Sequence, residues 1–298
     1  MRVLLTGADG QLGRHLSPLL SKRYELVTSS RSGGERPCDL GDESALLRLL
    51  NEVRPDLVVN PAAWTAVDAA EDHPASAARL NQWLPARLAA WCRLHDAWLV
   101  HYSTDYVFSG LPGRAWVESD RPAPASIYGR TKLAGEEEIR RSGARALILR
   151  TAWLYSARPG NFLSAILARA ARGEDLRVVS DQLGSPTWAG SLAVMTIELL
   201  DAVNMEHGRT LTLHAVNRGR MSWCEFAGMA VAMAYERGLI NQSVAVEAIS
   251  SDEWPQRARR PCWSVLDVRE LETRLGHSVP TAGQALSACL DEWKPDSC

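Results

Sequence analysis

Val3-Leu4-Leu5-Thr6-Gly7-Ala8-Asp9-Gly10-Gln11-Leu12-Gly13 is the stretch that decides the fold. Residues 3–6 make a short apolar strand that runs straight into glycines spaced G-x-x-G-x-x-G. Residues 11–20 then take helical spacing, with Leu12, Leu16, Leu19 and Leu20 on one side. Glycines permit a tight turn and let backbone N–H groups approach a pyrophosphate, and the helix N-terminus behind them favours negative charge. Glycines end many strands, so the motif gains its weight from its place between a strand and an amphipathic helix. Gly7, Gly10, Gln11, Leu12 and Gly13 are therefore candidates to cradle a dinucleotide. Pro18 falls inside the helix and is expected to strain or bend it.

Outward from this unit, strand and helix alternate. Strands are expected at 25–28, 57–60, 98–103 and 146–151, with helices at 43–53 and, in one long piece, at 75–95. That rhythm implies a parallel sheet with helices on both faces, a Rossmann-type doubly wound α/β fold. After about residue 155 it loosens: helices at 162–172, 191–201 and 223–237 are interrupted by short strands at 177–179 and 210–216. We expect a dinucleotide-binding core over 1–154. A smaller mixed α/β lobe over 155–298 would bind mainly substrate, with some chain crossing back to the core.

Composition narrows the function. The chain has 298 residues, 46% hydrophobic and 23% charged, as expected of a globular protein that needs no disulfide staples. A net charge of -2 and the absence of a basic stripe argue against nucleic-acid binding. No run of 18 apolar residues suggests a membrane span. A strand beginning at residue 3 leaves no room for a signal peptide. The six cysteines, Cys38, Cys92, Cys224, Cys262, Cys289 and Cys298, show no zinc-like spacing and read as reduced thiols in a cytoplasmic setting. Only Lys22, Lys132 and Lys294 are lysines, so each is worth inspection.

The second strand should end near Ser29-Ser30-Arg31. An acid there would favour NADH by holding the ribose 2′-hydroxyl. Ser30 and Arg31 instead suit a 2′-phosphate, which points to NADPH, with NADH as the alternative. Asp39, followed by Leu40, could accept from an adenine amine or cap the next helix. After Asn60-Pro61, the small Ala62 and Ala63 would let a cofactor lie flat against the sheet edge.

Tyr128-Gly129-Arg130-Thr131-Lys132 places a phenol and an ammonium on one helix face. At about 5 Å and an effective dielectric near 20, the ammonium contributes roughly 3 kcal/mol. That is about two pKa units, enough to bring the phenol towards general-acid work. Lys132 could also hold the nicotinamide ribose. Ser103-Thr104-Asp105 ends a strand where ligands of open parallel sheets bind. A hydroxyl there can meet a substrate carbonyl beside Tyr128, or cap a turn.

These residues resemble the extended short-chain dehydrogenase/reductases and, more narrowly, the dTDP-4-dehydrorhamnose reductase family. The likeness runs through Gly10-Gln11-Leu12-Gly13, Asn60-Pro61-Ala62-Ala63-Trp64-Thr65-Ala66-Val67-Asp68 and Ser103-Thr104-Asp105-Tyr106-Val107-Phe108. It continues in Tyr128-Gly129-Arg130-Thr131-Lys132-Leu133, Arg150-Thr151-Ala152-Trp153, Asp181-Gln182-Leu183-Gly184-Ser185-Pro186-Thr187 and Arg260-Pro261-Cys262-Trp263-Ser264-Val265-Leu266. The resemblance implies a catalytic group of Thr104, Tyr128 and Lys132. It implies cofactor contacts at Gly10, Gln11, Leu12, Asp39, Leu40, Ala63, Thr65 and Tyr102, and sugar-nucleotide contacts at Thr104, Asp105 and Trp153. It also implies reduction of dTDP-4-dehydro-6-deoxy-L-mannose to dTDP-L-rhamnose, with Tyr128 protonating the C4 oxygen.

The chain departs from the family at Trp64, where Tyr or His is more frequent, and at Ser109, where Asp is. These departures keep open another dTDP-4-keto sugar of antibiotic biosynthesis, including dihydrostreptose-type synthesis. A non-catalytic role like that of the methionine adenosyltransferase regulatory subunit is disfavoured by the presence of Thr104, Tyr128 and Lys132. Some relatives bind Mg2+ at a dimer interface; no matching acid set is found, so no metal is expected, and a homodimer is one assembly the sequence allows. Arg257, Arg259 and Arg260 form a late basic cluster. Arg260 could draw the sugar-nucleotide pyrophosphate into the cleft, or the cluster could serve surface ion pairing.

Overall fold

Six strands, all parallel, build the centre of the molecule: β1 (Arg2–Leu5), β2 (Glu25–Thr28), β3 (Leu57–Asn60), β4 (Trp98–Thr104), β5 (Arg145–Thr151) and β6 (Leu211–His214). The structure is a computed structural model and describes residues 1–111, 113–202, 210–254 and 256–293, so Lys294 and Cys298 lie outside the described residues. Strand order is β6-β5-β4-β3-β1-β2. The inner strands are apolar on both faces because both faces are covered. Val3, Leu5, Leu57, Val59 and Val100 pack with Leu12, Leu16 and Leu20 of the helix Gln11–Ser21 and with Leu192 and Leu199 of the helix Ala189–Ala202. The intervening Leu4, Val58, Leu99 and Ile148 face Leu46 and Leu50 of Glu43–Val53 and Leu84 and Leu88 of Leu84–Leu94. Strand periodicity of two thus sorts one sequence into two cores.

The chain leaves β1 towards β2 on one side and returns to place β3 on the other. This reversal opens a crevice beyond the carboxyl ends of β1 and β3, where open α/β sheets bind ligands. A third core joins Phe162–Ala171, Trp223–Glu236 and Ala282–Asp291 through Leu167, Phe226, Val231 and Leu286. The strand Leu176–Val179 pairs in parallel with Val246–Ile249 beside it. The helix Ala189–Ala202 and β6 come from the second half of the chain but belong to the first core and the large sheet.

Pro18 does not break its helix. It sits on the exposed face, so the carbonyl it leaves without a donor, that of Arg14, faces water. The long helix expected at 75–95 is present over 74–94, with a π turn set into it that the sequence did not announce. The structure has Val67–Asp72, Pro74–Ala78, a wide π turn at Arg79–Trp83, and Leu84–Leu94. Pro85 has no N–H with which to close a regular turn onto Asn81. The helix Ile127–Ser142 packs closely on this π turn: a Cβ on its Gly135 would lie 2.1 Å from the Asn81 carbonyl oxygen. The strand expected at 210–216 is real but shorter, Leu211–His214.

Candidate active site

A cavity of about 730 Å3 opens at the crevice, and every residue singled out from the sequence as a site candidate lines it. Its dinucleotide side is built from close backbone approaches. Gly7 has φ +56°, and a Cβ there would lie 3.0 Å from the backbone of Ala62. A Cβ on Gly13 would come within 2.3 Å of the Gly7 carbonyl oxygen. The helix behind starts at Gly10 with no side-chain cap, so first-turn N–H groups stay available to an anion. Gln11 is held by Ser156, whose hydroxyl donates to its Oε1 at 3.0 Å. Leu12, Leu40, Ala63 and Thr65 complete this wall. Of the two readings of Asp39, the helix cap falls to its neighbour: Asp42 accepts from the Ala45 N–H at 2.7 Å. Asp39 accepts from Gly41 N–H at 2.9 Å and lines the cavity.

Arg31 lines the cavity and, among the described residues, its guanidinium has no hydrogen-bond or ion-pair partner. Ser30 is less free than its sequence suggested, because its hydroxyl donates to the Asp9 carboxylate. An acid absent from the end of β2 is thus supplied by the glycine loop.

Tyr128 and Lys132 sit on the helix Ile127–Ser142, which Ser126 caps by accepting from Gly129 N–H. Thr104 ends β4 and accepts from Tyr106 N–H, so the turn-capping reading of its hydroxyl is realised; it also donates to Asp105 Oδ1 at 2.8 Å. Burial lifts the Asp105 carboxyl to about 6, with Ser264 and Thr104 opposing. The expected electrostatics of the phenol need correction. Burial pushes Tyr128 above its ordinary value and the Thr104 hydroxyl pulls it part-way back. Lys132 does not turn its charge on the phenol: its ammonium donates to the Tyr102 carbonyl at 2.5 Å and lies 3.4 Å from His101 Nε2. Burial pulls Lys132 down to about 8, against the nearby charge of Glu136. Tyr128 keeps an open side on the cavity, where a bound ligand completes its surroundings. Tyr102 lines the cavity as well; its phenol bonds the Thr196 hydroxyl at 2.9 Å, and its carbonyl anchors Lys132.

The opposite wall is aromatic. Trp153 adopts φ +49°, a left-handed conformation that a bulky residue rarely takes. Its ring stacks on Trp223 with centroids 3.5 Å apart, and Phe162 leans on Trp223 at 4.4 Å. Arg260 reaches the cavity, donating to Asp68 at 2.7 Å and to the Tyr106 hydroxyl at 3.2 Å; the Tyr106 ring meets Tyr128 edge-on at 5.4 Å. Arg257 pairs with Asp72, so ion pairing accounts for two of the three late arginines.

The family model described as RmlD substrate binding domain matches residues 1–294. The chain belongs to that family. Its curated relatives include dTDP-4-dehydrorhamnose reductase of Burkholderia thailandensis, 36% identical over 97% of this chain and 98% of that one. A probable dTDP-4,6-dihydroxy-2-methyloxan-3-one 4-ketoreductase of Streptomyces antibioticus is 40% identical over 89% of this chain and 86% of its own length. Among solved structures, dTDP-4-dehydrorhamnose reductase of Bacillus anthracis in complex with NADP superposes with a TM-score of 0.88 at 32% identity, covering 98% of this chain and 99% of that one.

The cleft of this RmlD-family chain suits a phosphorylated dinucleotide: uncapped helix N–H groups, a glycine floor with no room for Cβ atoms, and the unpartnered Arg31 converge there. Several contributors escaped the sequence reading. Asp9 lay within the glycine loop but gave no sign that it would meet Ser30. Trp223, 70 residues after Trp153, had no signal beyond an apolar helical face. Asn81 accepts from Trp64 N–H and donates to the Trp64 carbonyl and the Thr131 hydroxyl. It ties the cofactor floor to the Tyr128 helix.

Proposed function

We propose that this chain reduces the C4 ketone of a dTDP-4-dehydro-6-deoxy sugar with NADPH, converting dTDP-4-dehydro-6-deoxy-L-mannose to dTDP-L-rhamnose. The observation that carries the reading is the single cavity that Thr104, Tyr128 and Lys132 share with the glycine loop on one side and Trp153 and Trp223 on the other. Residues 1–154 supply the dinucleotide side and residues 155–298 mainly the sugar-nucleotide side. Gly7, Gly10, Gln11, Leu12, Gly13, Asp39, Leu40, Ala62, Ala63 and Thr65 hold the dinucleotide, and Arg31, next to Ser30 at the end of β2, takes the 2′-phosphate. Bound there, NADPH supplies hydride to the sugar C4.

Tyr128 donates its proton to the C4 oxygen, and the Thr104 hydroxyl holds that oxygen in place. A phenol held high by burial is fully protonated at neutral pH, which is the state a general acid needs. Lys132, held by the Tyr102 carbonyl, fixes the ribose hydroxyls, and the Thr104 hydroxyl that touches Tyr128 steadies the phenolate left after transfer. Asp105 orients Thr104. Trp153 and the Trp223 ring stacked on it give an apolar wall for the nucleotide base or sugar, and Arg260 faces the pyrophosphate. No helix among the described residues is long and apolar enough to cross a membrane, in keeping with a reaction in the cytoplasm.

The test is to incubate the purified protein with NADPH and several dTDP-4-keto sugars, following absorbance at 340 nm and identifying products by NMR. Fastest turnover of the L-rhamnose precursor supports the assignment. Faster turnover of another dTDP-4-keto sugar transfers the substrate, and NADPH oxidation with none of them removes the proposed activity.

A further inference from the structure

A buried polar chain crosses the carboxyl ends of β1, β3 and β4 and ends on Lys132. Thr6 Oγ1 lies 2.6 Å from Asn60 Oδ1, and Asn60 Nδ2 lies 3.1 Å from His101 Nδ1. His101 Nε2 then lies 3.4 Å from Lys132 Nζ. Thr6, Asn60 and His101 are fully buried and Lys132 is 2% exposed, so water does not complete these bonds. The other groups facing Lys132 are the Tyr102 carbonyl on β4 and Glu136 on its own helix. Glu136 is itself held by two hydrogen bonds from Arg150 on β5 and one from Arg140.

A neutral imidazole has one proton to place, and an asparagine amide can present either end. Burial first, and the charge of Lys132 second, keep His101 from becoming charged. Two arrangements of the chain are then internally consistent. With Lys132 charged, Nζ donates to His101 Nε2; the imidazole proton sits on Nδ1 and donates to Asn60 Oδ1, and Asn60 Nδ2 donates to Thr6. With Lys132 neutral, His101 Nε2–H donates to the amine lone pair; Nδ1 accepts from Asn60 Nδ2, and Asn60 Oδ1 accepts from the Thr6 hydroxyl. Passing from the first to the second, the lysine proton moves to Nε2, the Nδ1 proton leaves for solvent and the amide turns over. The pair loses one proton in all.

We propose that His101 is a positioning residue for Lys132, changing tautomer with the lysine's charge so that the same ring offers an acceptor to the ammonium and a donor to the amine. The proposal rests on the reading of Lys132 as a group of the reductase site. Its consequence is that Lys132 keeps one position through its titration, and that the acceptor at Nε2 supports the charged form that holds the ribose.

The direct test is 15N NMR of histidine-labelled protein between pH 6 and 10, with the His101 ring assigned by its absence in the His101→Gln spectrum. The expected result is a neutral imidazole that exchanges an Nδ1–H for an Nε2–H tautomer as Lys132 titrates, and no exchange in Lys132→Met. A single tautomer across the range in the native protein overturns the proposal. This arm needs no turnover, so it can fail while Lys132→Met still abolishes activity, or succeed while Lys132→Met remains active and only the catalytic reading falls. The second test is the pH profile of kcat/KM. His101→Leu removes the acceptor and is expected to move the basic limb down by about one pH unit, equivalent to a tenfold loss on that limb. His101→Gln keeps an acceptor and is expected to restore most of it. Identical profiles for both variants and the native enzyme also overturn the proposal.

Discussion

Tyr128 and Lys132 are one helical turn apart, yet different neighbours set their chemistry. Thr104 touches the phenol, whereas the Tyr102 carbonyl and His101 hold the ammonium. Tyr128→Phe removes only the proton donor, so kcat is expected to fall by about 10²–10⁴-fold while NADPH affinity, read by fluorescence titration, stays unchanged. Unaltered turnover would take Tyr128 out of the mechanism. Lys132, with its pKa held near 8 by burial, makes the reaction sensitive to base. The charged form prevails below that value, so kcat/KM of the free enzyme is expected to decline as pH rises through about 8. Between about 8 and the unfolded value near 10.4 the unfolded chain binds the extra proton, so this group's contribution to stability grows with pH. A pH profile beside thermal melts separates the two effects. Arg31→Ala is expected to raise the KM for NADPH by about 10–100-fold, the scale of a charge-assisted hydrogen bond, with little change for NADH. Equal losses with both cofactors would place Arg31 away from the 2′-phosphate.

At the scale of elements, the helix Ile127–Ser142 brings Tyr128 and Lys132 to the cavity while its Gly135 presses on the π turn Arg79–Trp83. Gly135→Ala puts a methyl group 2.1 Å from the Asn81 carbonyl oxygen. A loss of about 1–3 kcal/mol in urea unfolding is expected, together with reduced turnover, because Asn81 also braces the loop at Trp64. Wild-type stability in this variant would mean that the turn yields more readily than a backbone carbonyl in a packed core should. The strands and the first helix were legible because their apolar periodicity and glycine punctuation are local. The π turn inside the 74–94 helix was not: Pro85 could be absorbed in several ways, and the turn lies where the helix Ile127–Ser142 packs closest.

Across the whole molecule, the site is a seam between two halves of the chain. The glycine loop and β4 supply one wall, while Trp223, on a helix of the third core, stacks on Trp153 to supply the other. Trp223→Leu is expected to raise the KM for the dTDP sugar about tenfold, the order of one to two kcal/mol for an aromatic stack, while leaving NADPH affinity as it was. An equal fall in both affinities would show that the wall supports the whole cleft. The sequence by itself determined the alternation of strand and helix and the place of the glycine loop, and it marked Thr104, Tyr128 and Lys132 as candidates, because a glycine turn, a strand end and a Y-x-x-x-K helix turn are each written in short local stretches. Only the tertiary structure decided which charges meet. Asp9 against Ser30, Arg260 on Asp68, and Lys132 turned from the phenol to the Tyr102 carbonyl and His101 all join residues far apart in the chain or divided between strand and helix. Electrostatic and hydrogen-bond partners depend on distance and burial in the packed molecule, and neither is encoded in local periodicity.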